Sequence, residues 1–461
     1  MANAYMDKIE AFVRANEENV IRDIKRLVDI PSVAGTPEPG APNGAGPAAA
    51  LKEALALAGE MGLATGEFEG HMGWAELPGS TDKQIATITH MDVVPAGNGW
   101  TGDPFNMRVQ DGWLIGRGVA DDKGPGVLCL YALKFLKENN VPLKYSVRAL
   151  LGTSEETGME DIDRYLAGNR APDFCFSPDA EFPVCNGEKG HFRADLVSPV
   201  CGGQVLAFEG GVAFNAVPDR AAALVRAEGL LPAENITLEP GEEAGTVWVR
   251  GWGKSGHAAM PEGTRNAIGL VVDYLLANKV GNEAETAYFE VLHKLHASTD
   301  GSALGIAADD GLFTPLTVIG GTMKMENGRM IQSVDSRFPT NTTGEAIRDT
   351  LTALCGSAAA VENVGIAVPF YIAADAAPIR ALIDTYNEVT GENAQPFTMG
   401  GGTYARHFPL AVSFGPERQD LQLPEFAGPM HGANEGAKIK HLMQALKIYI
   451  LALVRLQEID L

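Results

Sequence analysis

A histidine and an aspartate separated by one residue stand at the end of a predicted strand. The strand is Gln84–His90, a short run of β-favouring residues, and Asp92 follows it. Residues i and i+2 at a strand end face the same side, so Asp92 could hydrogen-bond one nitrogen of His90 and leave the other nitrogen to bind a metal. A structural histidine beside a surface aspartate is the alternative interpretation.

Two pairs of adjacent acids occur beside glycines further along the chain. Asp121 and Asp122 lie on a Gly-rich loop that leads into a helix, where capping of the helix N-terminus is the alternative to metal binding. Glu155 and Glu156 follow the predicted strand 145–151, at the edge where open α/β sheets place their sites. Because neighbouring side chains diverge, one glutamate could bind a metal while the other reaches a bound water. Helix capping is the alternative there too.

Asp179 and His431 extend this set of candidate ligands. Taken alone, Asp179 after the predicted strand Phe174–Ser177 is typical of a turn, and His431 is typical of a structural histidine. Together with the preceding residues they give two imidazoles and at least three carboxylates. A nitrogen and oxygen set without sulfur suits Zn²⁺, Mn²⁺ or Co²⁺ better than an electron-transfer metal. A carboxylate bridging two ions about 3.5 Å apart is the expected form of a hydrolytic two-metal site.

The composition argues against several classes of partner and location. The 461 residues include 36 Lys and Arg against 59 Asp and Glu, a net charge of −23. Nucleic acids and anionic membranes are polyanionic, so this acidity argues against both. The N-terminus shows no secretory signal, and charged residues interrupt the apolar run 439–456, which indicates a buried or amphipathic helix. Five cysteines without CxxC spacing are typical of reduced core residues in a cytoplasmic protein.

Helix and strand patterns divide the chain into three stretches. Up to about residue 187 they alternate, which favours a mostly parallel sheet with helices on both faces. Beyond that point, Gly203–Glu228 and Leu312–Leu351 each indicate strand, turn, strand and then helix, and from Pro378 the alternation returns. We therefore expect an α/β domain over residues 1–187 and 373–461. An inserted α+β domain of two similar units is expected over residues 188–372.

Nearly the whole chain resembles a known family, the dinuclear zinc metallopeptidases that include aminoacylase, glutamate carboxypeptidase and succinyl-diaminopimelate desuccinylase. In particular it resembles the dipeptidases of the peptidase V type, an Xaa-His-dipeptidase-like branch. The motifs occur in the family's order and with its spacing. They are His90–Pro95, Gly99–Thr101, Asp103–Phe105, Gly116–Pro125, Ser154–Glu156, Asp179, Gly253–His257 and Gly401–Arg406.

The resemblance implies a ligand set for two divalent ions, zinc in the first place, with manganese or cobalt as alternatives. The implied ligands are His90, Asp121, Glu156, Asp179 and His431. Asp121 would bridge both ions, with His90 and Asp179 on one of them and Glu156 and His431 on the other. Asp92 would orient His90, and Glu155 would be the general base. The peptide bond between Asp121 and Asp122 is expected to be cis.

For the inserted domain the resemblance implies the role of a lid that carries residues for substrate binding. His257 would stabilise the oxyanion, Arg337 would hold the terminal carboxylate of the substrate, Asn215 would assist, and Gly402 would offer backbone contacts. From the sequence alone, a surface or structural position is equally typical of His257, and a surface ion pair is more typical of Arg337. The remaining histidines match no ligand position and are interpreted as structural: His71, His191, His293, His296, His407 and His441.

These observations predict a cytoplasmic, metal-dependent dipeptidase that hydrolyses unblocked dipeptides through a metal-bridged hydroxide. A small peptide would be its substrate, with no nucleic-acid or membrane partner, and the resemblance implies a monomer. An amidase or deacylase of the same family, acting on N-acyl amino acids, is the first alternative. A catalytically silent peptide-binding homologue is the second, and it is disfavoured because Glu155 and all five ligand positions are filled.

Overall fold

The computed structural model describes residues 5–418 and 420–461. The chain divides into two compact units. The first unit comprises Met1–Gly187, Ile372–Phe397 and Gly402–Leu461, and the second comprises Glu188–Tyr371 and Thr398–Gly401. The short segment 398–401 thus groups with the second unit, although it falls within the stretch expected to belong to the first.

The elements follow one another along the chain as three groups. Up to residue 188 they are α1 (Met6–Val28), α2 (Ala45–Glu60), β1 (Ala64–Phe68), β2 (Met72–Leu77), β3 (Gln84–His90), β4 (Arg108–Gln110), β5 (Trp113–Ile115), α3 (Lys123–Glu138), β6 (Ser146–Gly152), α4 (Glu160–Gly168), β7 (Phe174–Ser177), β8 (Ala180–Glu181) and β9 (Cys185–Glu188). From residue 190 to 371 they are β10 (Gly190–Val197), β11 (Val205–Gly210), β12 (Ala216–Val217), β13 (Arg220–Arg226), β14 (Ile236–Pro240), β15 (Thr246–Trp252), β16 (Gly256–His257), α5 (Ala267–Ala277), α6 (Glu283–Ala297), β17 (Thr317–Glu326), β18 (Arg329–Phe338), α7 (Gly344–Cys355), β19 (Ala360–Ala367) and β20 (Phe370–Tyr371). The last group is α8 (Ala377–Thr390), β21 (Phe397–Met399), β22 (Ala411–Ser413), β23 (Pro416–Glu417), β24 (Gly436–Lys438) and α9 (Ile439–Leu456).

The main sheet of the first unit has the strand order β1-β2-β6-β3-β7-β22-β9. Its centre is parallel, since β3 pairs in parallel with both β6 and β7, and β22 pairs in parallel with β7. The flanking pairs β1–β2, β2–β6 and β22–β9 are antiparallel. The predicted α/β class is confirmed, and the parallel strands bring the ends of β3, β6 and β7 to one edge of the sheet.

A single apolar core supports this sheet. Helices α1, α3 and α9 pack against one another, and α9 buries most of its length among them. The apolar run 439–456 is therefore a core helix, as its interrupted pattern indicates. Among the described residues, no helix combines the length and apolar character needed to cross a lipid bilayer. All five cysteines are free thiols, and four of them are buried.

The second unit contains one eight-stranded sheet of order β14-β15-β13-β11-β17-β18-β10-β19, antiparallel throughout. Helices α5, α6 and α7 contact its strands and close a second apolar core. The stretch 203–228 lacks the helix that we expected there, because β14 and β15 continue the sheet instead. The two stretches expected to form similar units share this one sheet, joined where Gly210 of β11 pairs with Met323 of β17.

Candidate metal centre

Three strand ends bring acidic residues to one edge of the first unit's sheet. His90 is the last residue of β3 and lies opposite Gly152, the last residue of β6, in the parallel register. Asp92 follows β3, Glu155 and Glu156 follow β6 in a short 3₁₀ turn, and Asp179 follows β7. Because these strands run in the same direction, side chains separated by long stretches of sequence meet in one place.

The carboxylate of Asp121 lies between two imidazoles. Its Oδ1 is 2.8 Å from Nε2 of His90, and its Oδ2 is 2.8 Å from Nε2 of His431. The same Nε2 atoms each face a second carboxylate: Asp179 Oδ2 is 3.8 Å from His90 Nε2, and Glu156 Oε1 is 3.1 Å from His431 Nε2. All five residues implied as ligands by the sequence resemblance therefore lie together, with Asp121 at the centre.

The hydrogen bonds of His90 favour a cation beside its Nε2. Nδ1 lies 2.9 Å from the backbone carbonyl oxygen of Asp92, which can only accept, so Nδ1 carries the proton. A neutral ring then turns the lone pair of Nε2 toward the Asp121 carboxylate. Two acceptors at 2.8 Å repel each other unless a proton or a metal ion lies at their junction. Burial alone would lower the pKa of His90, but hydrogen bonds with Asp121 and Asp92 raise it well above the usual value.

Asp92 positions both glutamates, a role that the sequence did not reveal. Its carboxylate oxygens accept the backbone N–H groups of Glu155 at 3.2 Å and Glu156 at 3.1 Å. The expected orientation of His90 by Asp92 comes from the backbone carbonyl, while the carboxylate Oδ1 stands 3.5 Å from Nδ1. One aspartate thus aligns the imidazole of one strand end and the glutamates of the next.

The electrostatics of the cluster favour bound cations. Burial, followed by the charge of Asp179, raises the pKa of Glu155 well above its usual value, and burial with the charge of Asp121 raises the pKa of Asp179 to about 7. For Asp121, burial acts in the same direction, but hydrogen bonds from His431 and His90 lower its pKa below the usual value. Divalent cations would offset this mutual repulsion of carboxylates.

The donor chemistry also fits divalent metals. Ligand atoms of His90, Asp121 and Glu156 lie within 4.8 Å of one another, as do those of His90, Glu155 and Asp179. Imidazole and carboxylate donors without sulfur suit zinc or manganese. Asp122, the neighbour of Asp121 across a cis peptide bond, accepts the backbone N–H of His90 at 3.3 Å. It occupies the N-cap position of α3 without a side-chain capping bond.

A buried ion pair joins the Asp121 loop to the His431 loop. Glu435 is fully buried and accepts the backbone N–H groups of Gly118, Ala120 and Asp121 at 3.0 to 3.2 Å. Its other oxygen pairs with Nη1 of Arg117 at 2.5 Å. Nη2 of the same arginine lies 3.2 Å from the backbone oxygen of His431. Glu435 and Arg117 therefore fix the positions of two ligand loops, although neither was predicted as functional.

A second buried acid, Asp161, holds the turn that precedes Glu155. It accepts the backbone N–H groups of Thr153 at 2.6 Å and Ser154 at 2.9 Å, and the hydroxyl of Tyr404 at 2.5 Å. Gly152 leaves room for this contact, because a Cβ there would lie 2.1 Å from the Tyr404 oxygen. Asp161 was not predicted either, since its place on α4 is typical of an acidic first turn.

The residues expected to bind substrate occupy different units. Asn215 and His257 lie together in the second unit, where Ala216 pairs with His257 and the Asn215 carbonyl accepts the N–H of Ala258 at 3.0 Å. Nδ1 of His257 accepts the N–H of Ala259 at 3.2 Å, which leaves the proton of a neutral ring on Nε2 as a donor. Burial, followed by the charge of Arg337, lowers the pKa of His257. Arg337 lies on β18 in the same unit, whereas Gly402 belongs to the first.

Comparison with known proteins gives consistent matches over the chain. Residues 86–455 match the sequence profile of peptidase family M20/M25/M40. The Bacillus subtilis (strain 168) protein YtjP is 31% identical over 469 aligned residues, which cover 97% of this chain and 99% of that protein. The β-Ala-Xaa dipeptidase of Lactobacillus delbrueckii subsp. lactis is 30% identical over 467 residues, 96% of this chain and 97% of that protein.

The fold also matches a solved structure. The crystal structure of an M20 family metallo-carboxypeptidase from Sulfolobus solfataricus has a TM-score of 0.61 at 18% identity. The match covers 95% of this chain and 99% of that chain. At this level of identity the similarity supports the arrangement of elements alone.

Replacing Glu435 by glutamine is expected to weaken metal binding about 10- to 100-fold. The amide cannot accept from Arg117 and the three backbone N–H groups together, so the Asp121 and His431 loops lose their common anchor. The measurement is a zinc titration against a competing chromophoric chelator. The exposed Glu425→Gln variant serves as the control. Equal zinc affinities for the two folded variants would contradict this role of Glu435.

Proposed function

We propose that this chain, which belongs to peptidase family M20/M25/M40, is a metal-dependent dipeptidase that acts on unblocked dipeptides. As a member of this family it is a peptide-bond hydrolase. The observation that carries the proposal is the Asp121 carboxylate, whose two oxygens each lie 2.8 Å from a different imidazole. Such a carboxylate is suited to bridging two ions, with His90 and Asp179 on one side and His431 and Glu156 on the other.

Glu155 is the proposed general base. When bound, the two ions would act as Lewis acids and lower the pKa of coordinated water toward about 7. Glu155 would accept a proton from the attacking water and then deliver it to the amine of the leaving residue. Its backbone N–H is held by Asp92, which fixes the main chain from which its side chain extends. His257 would donate from Nε2 to the oxyanion that forms on the substrate carbonyl.

Selectivity for dipeptides would come from recognition of the free carboxylate. Arg337 would bind that carboxylate with its planar guanidinium, assisted by Asn215 and by backbone contacts at Gly402. Binding of this carboxylate would favour substrates that end one residue beyond the cleaved bond. The relative from Lactobacillus is named for β-Ala-Xaa dipeptides, which supports a short, unblocked substrate.

The proposal also covers the metal, the role of the second unit, the cellular location and the oligomeric state. Zinc is the preferred metal candidate, because the donors are imidazoles and carboxylates in a mixed set. The second unit would act as a lid that carries the substrate-binding residues. Free thiols at all five cysteines support a cytoplasmic location, and the net charge of −23 argues against nucleic-acid and membrane partners. A monomer is proposed, as the sequence resemblance implies.

Removal of metal is expected to abolish hydrolysis reversibly. A dialysed, chelator-treated protein should bind two equivalents of zinc per chain and regain dipeptide hydrolysis as the second equivalent binds. Metal content is measured by elemental analysis and activity by release of free amino acids. Full activity in metal-free protein would exclude the proposed mechanism, and a stoichiometry of one would exclude the bridged pair.

Glu155→Gln is expected to lower kcat by roughly two to four orders of magnitude while both metal equivalents remain bound. The amide keeps the shape of the side chain but cannot accept the proton. Glu160→Gln is the matched control, because Glu160 is exposed and pairs only with Arg164 along its own helix in the contacts described. Unchanged kcat in Glu155→Gln would remove Glu155 from the chemistry.

A substrate panel separates the dipeptidase from the N-acyl amidase. We expect turnover of Ala-Ala and β-Ala-His, with N-acetyl-alanine and N-acetylated dipeptides hydrolysed at least about a hundredfold more slowly in kcat/KM. Released amine is measured by mass spectrometry for every compound. Hydrolysis of the acylated compounds alone would identify an amidase. Binding of dipeptides without any hydrolysis, in protein that holds its metals, would identify a silent homologue.

A further inference from the structure

Asp335 is a buried carboxylate in the sheet of the second unit. It lies on β18, two residues before Arg337, and its side chain is completely inaccessible. Asp335 Oδ1 accepts Nε–H of Arg337 at 2.8 Å, and Oδ2 accepts from Nη2 at 3.2 Å. This is a two-point contact between a planar guanidinium and a carboxylate, which fixes both the position and the plane of the arginine.

The hydrogen bonds of Arg337 leave two of its N–H donors for a ligand, one on each terminal nitrogen, and we call this pair the fork. A guanidinium has five N–H donors. Asp335 takes two of them, and the backbone oxygen of Gly400 takes one from Nη1 at 3.3 Å. Among the contacts of the described residues, one N–H on each terminal nitrogen of Arg337 remains, and a carboxylate accepts two such N–H groups in a forked pair. The Arg337 side chain is only 9% exposed, so the rest of it is held within the protein.

Asp335 also holds the segment that leads to Asn215. Its Oδ2 lies 2.9 Å from Nε2 of His191, whose ring stacks on Phe214 at a centroid distance of 6.2 Å and an interplanar angle of 22°. The guanidinium of Arg193 lies 3.4 Å from the same phenyl centroid. Phe214 is thus held by two side chains of β10, and Asn215 follows it directly. His191, which the sequence led us to interpret as structural alone, connects Asp335 to this segment.

The charge state of Asp335 supports this arrangement. Burial alone would raise its pKa, but the hydrogen bond from His191 and the charge of Arg337 lower it below the usual value. The carboxylate therefore remains ionised at neutral pH. An ionised partner accepts at both oxygens simultaneously, as the contacts to Arg337 and His191 require.

We propose that Asp335 is a positioning residue that makes the enzyme selective for substrates with a free terminal carboxylate, because it presents the fork of Arg337 and steadies Asn215. The inference rests on the proposed function, in which Arg337 binds that carboxylate. Asp335 itself does not touch the substrate. It removes the rotational freedom of the long arginine side chain before binding, so less conformational entropy is lost when the carboxylate is bound.

The test compares a dipeptide with its amide. Ala-Ala and Ala-Ala-NH₂ are assayed with the metal-loaded wild type, Asp335→Asn and Asp195→Asn. Asp195 is the matched control, since it lies on β10 of the same sheet and bonds only to the amide of Asn363 in the contacts described. For Asp335→Asn, KM for Ala-Ala is expected to rise about tenfold with little change in kcat, while the parameters for the amide stay at wild-type values.

A double variant tests whether Asp335 acts through Arg337. In the Arg337→Ala background, adding Asp335→Asn is expected to change KM for Ala-Ala by less than about twofold, because the group being positioned is gone. If Asp335→Asn does not fold, as judged by circular dichroism, Asp335→Glu keeps the charge but displaces the guanidinium. It is then expected to raise KM for Ala-Ala selectively.

The outcomes separate the two levels of the proposal. A wild type that hydrolyses Ala-Ala and Ala-Ala-NH₂ with equal KM would overturn the carboxylate-binding role of Arg337 and with it that part of the proposed function. A wild type that discriminates between them, together with an Asp335→Asn variant that discriminates equally well, would overturn the inference about Asp335 alone. Equal losses for both substrates in Asp335→Asn would show a general structural role and also overturn it.

Discussion

Several carboxylates buried in one small volume are the constraint on which the first unit depends. Backbone N–H groups that donate to these carboxylates offset much of the free-energy cost of burying their charge. Asp92 accepts two of them, Asp161 two and Glu435 three. These dipoles stabilise negative charge without placing a lysine or arginine among the ligands. The cluster around Asp121 keeps its attraction for cations, and the same hydrogen bonds fix the loops that carry the ligands.

The fold of the first unit and the grouping of the candidate ligands at one edge of its sheet were largely predictable from the sequence. The strands Gln84–His90 and Phe174–Ser177 occur with the predicted bounds, and the predicted strand 145–151 is Ser146–Gly152. The polar residues that directly follow buried strands indicated the edge of the sheet at which their side chains meet. The family resemblance implied the identities of the five candidate ligands, which the structure places together. Their metal-binding roles remain predictions.

The positioning residues were not predictable, for a physical reason. Glu435 contacts Gly118 across 317 positions, and Tyr404 contacts Asp161 across 243. Their partners are backbone atoms or distant side chains, which no local pattern encodes. Asp335 is different, because it precedes Arg337 by two residues on a strand, where side chains share a face. The rule that drew attention to His90 and Asp92 could have identified this pair as well.

The link from Glu435 to the Asp121 loop has a consequence for biosynthesis. Chain elongation delivers His90, Asp121, Glu156 and Asp179 first, whereas His431 and Glu435 follow Asp179 only after roughly 250 further residues. A partly synthesised chain has neither the fifth candidate ligand, His431, nor Glu435, the acid that holds the Asp121 loop. The five candidate ligands can therefore come together only after His431 and Glu435 have been synthesised, so a chain that is truncated before them lacks a complete candidate metal centre.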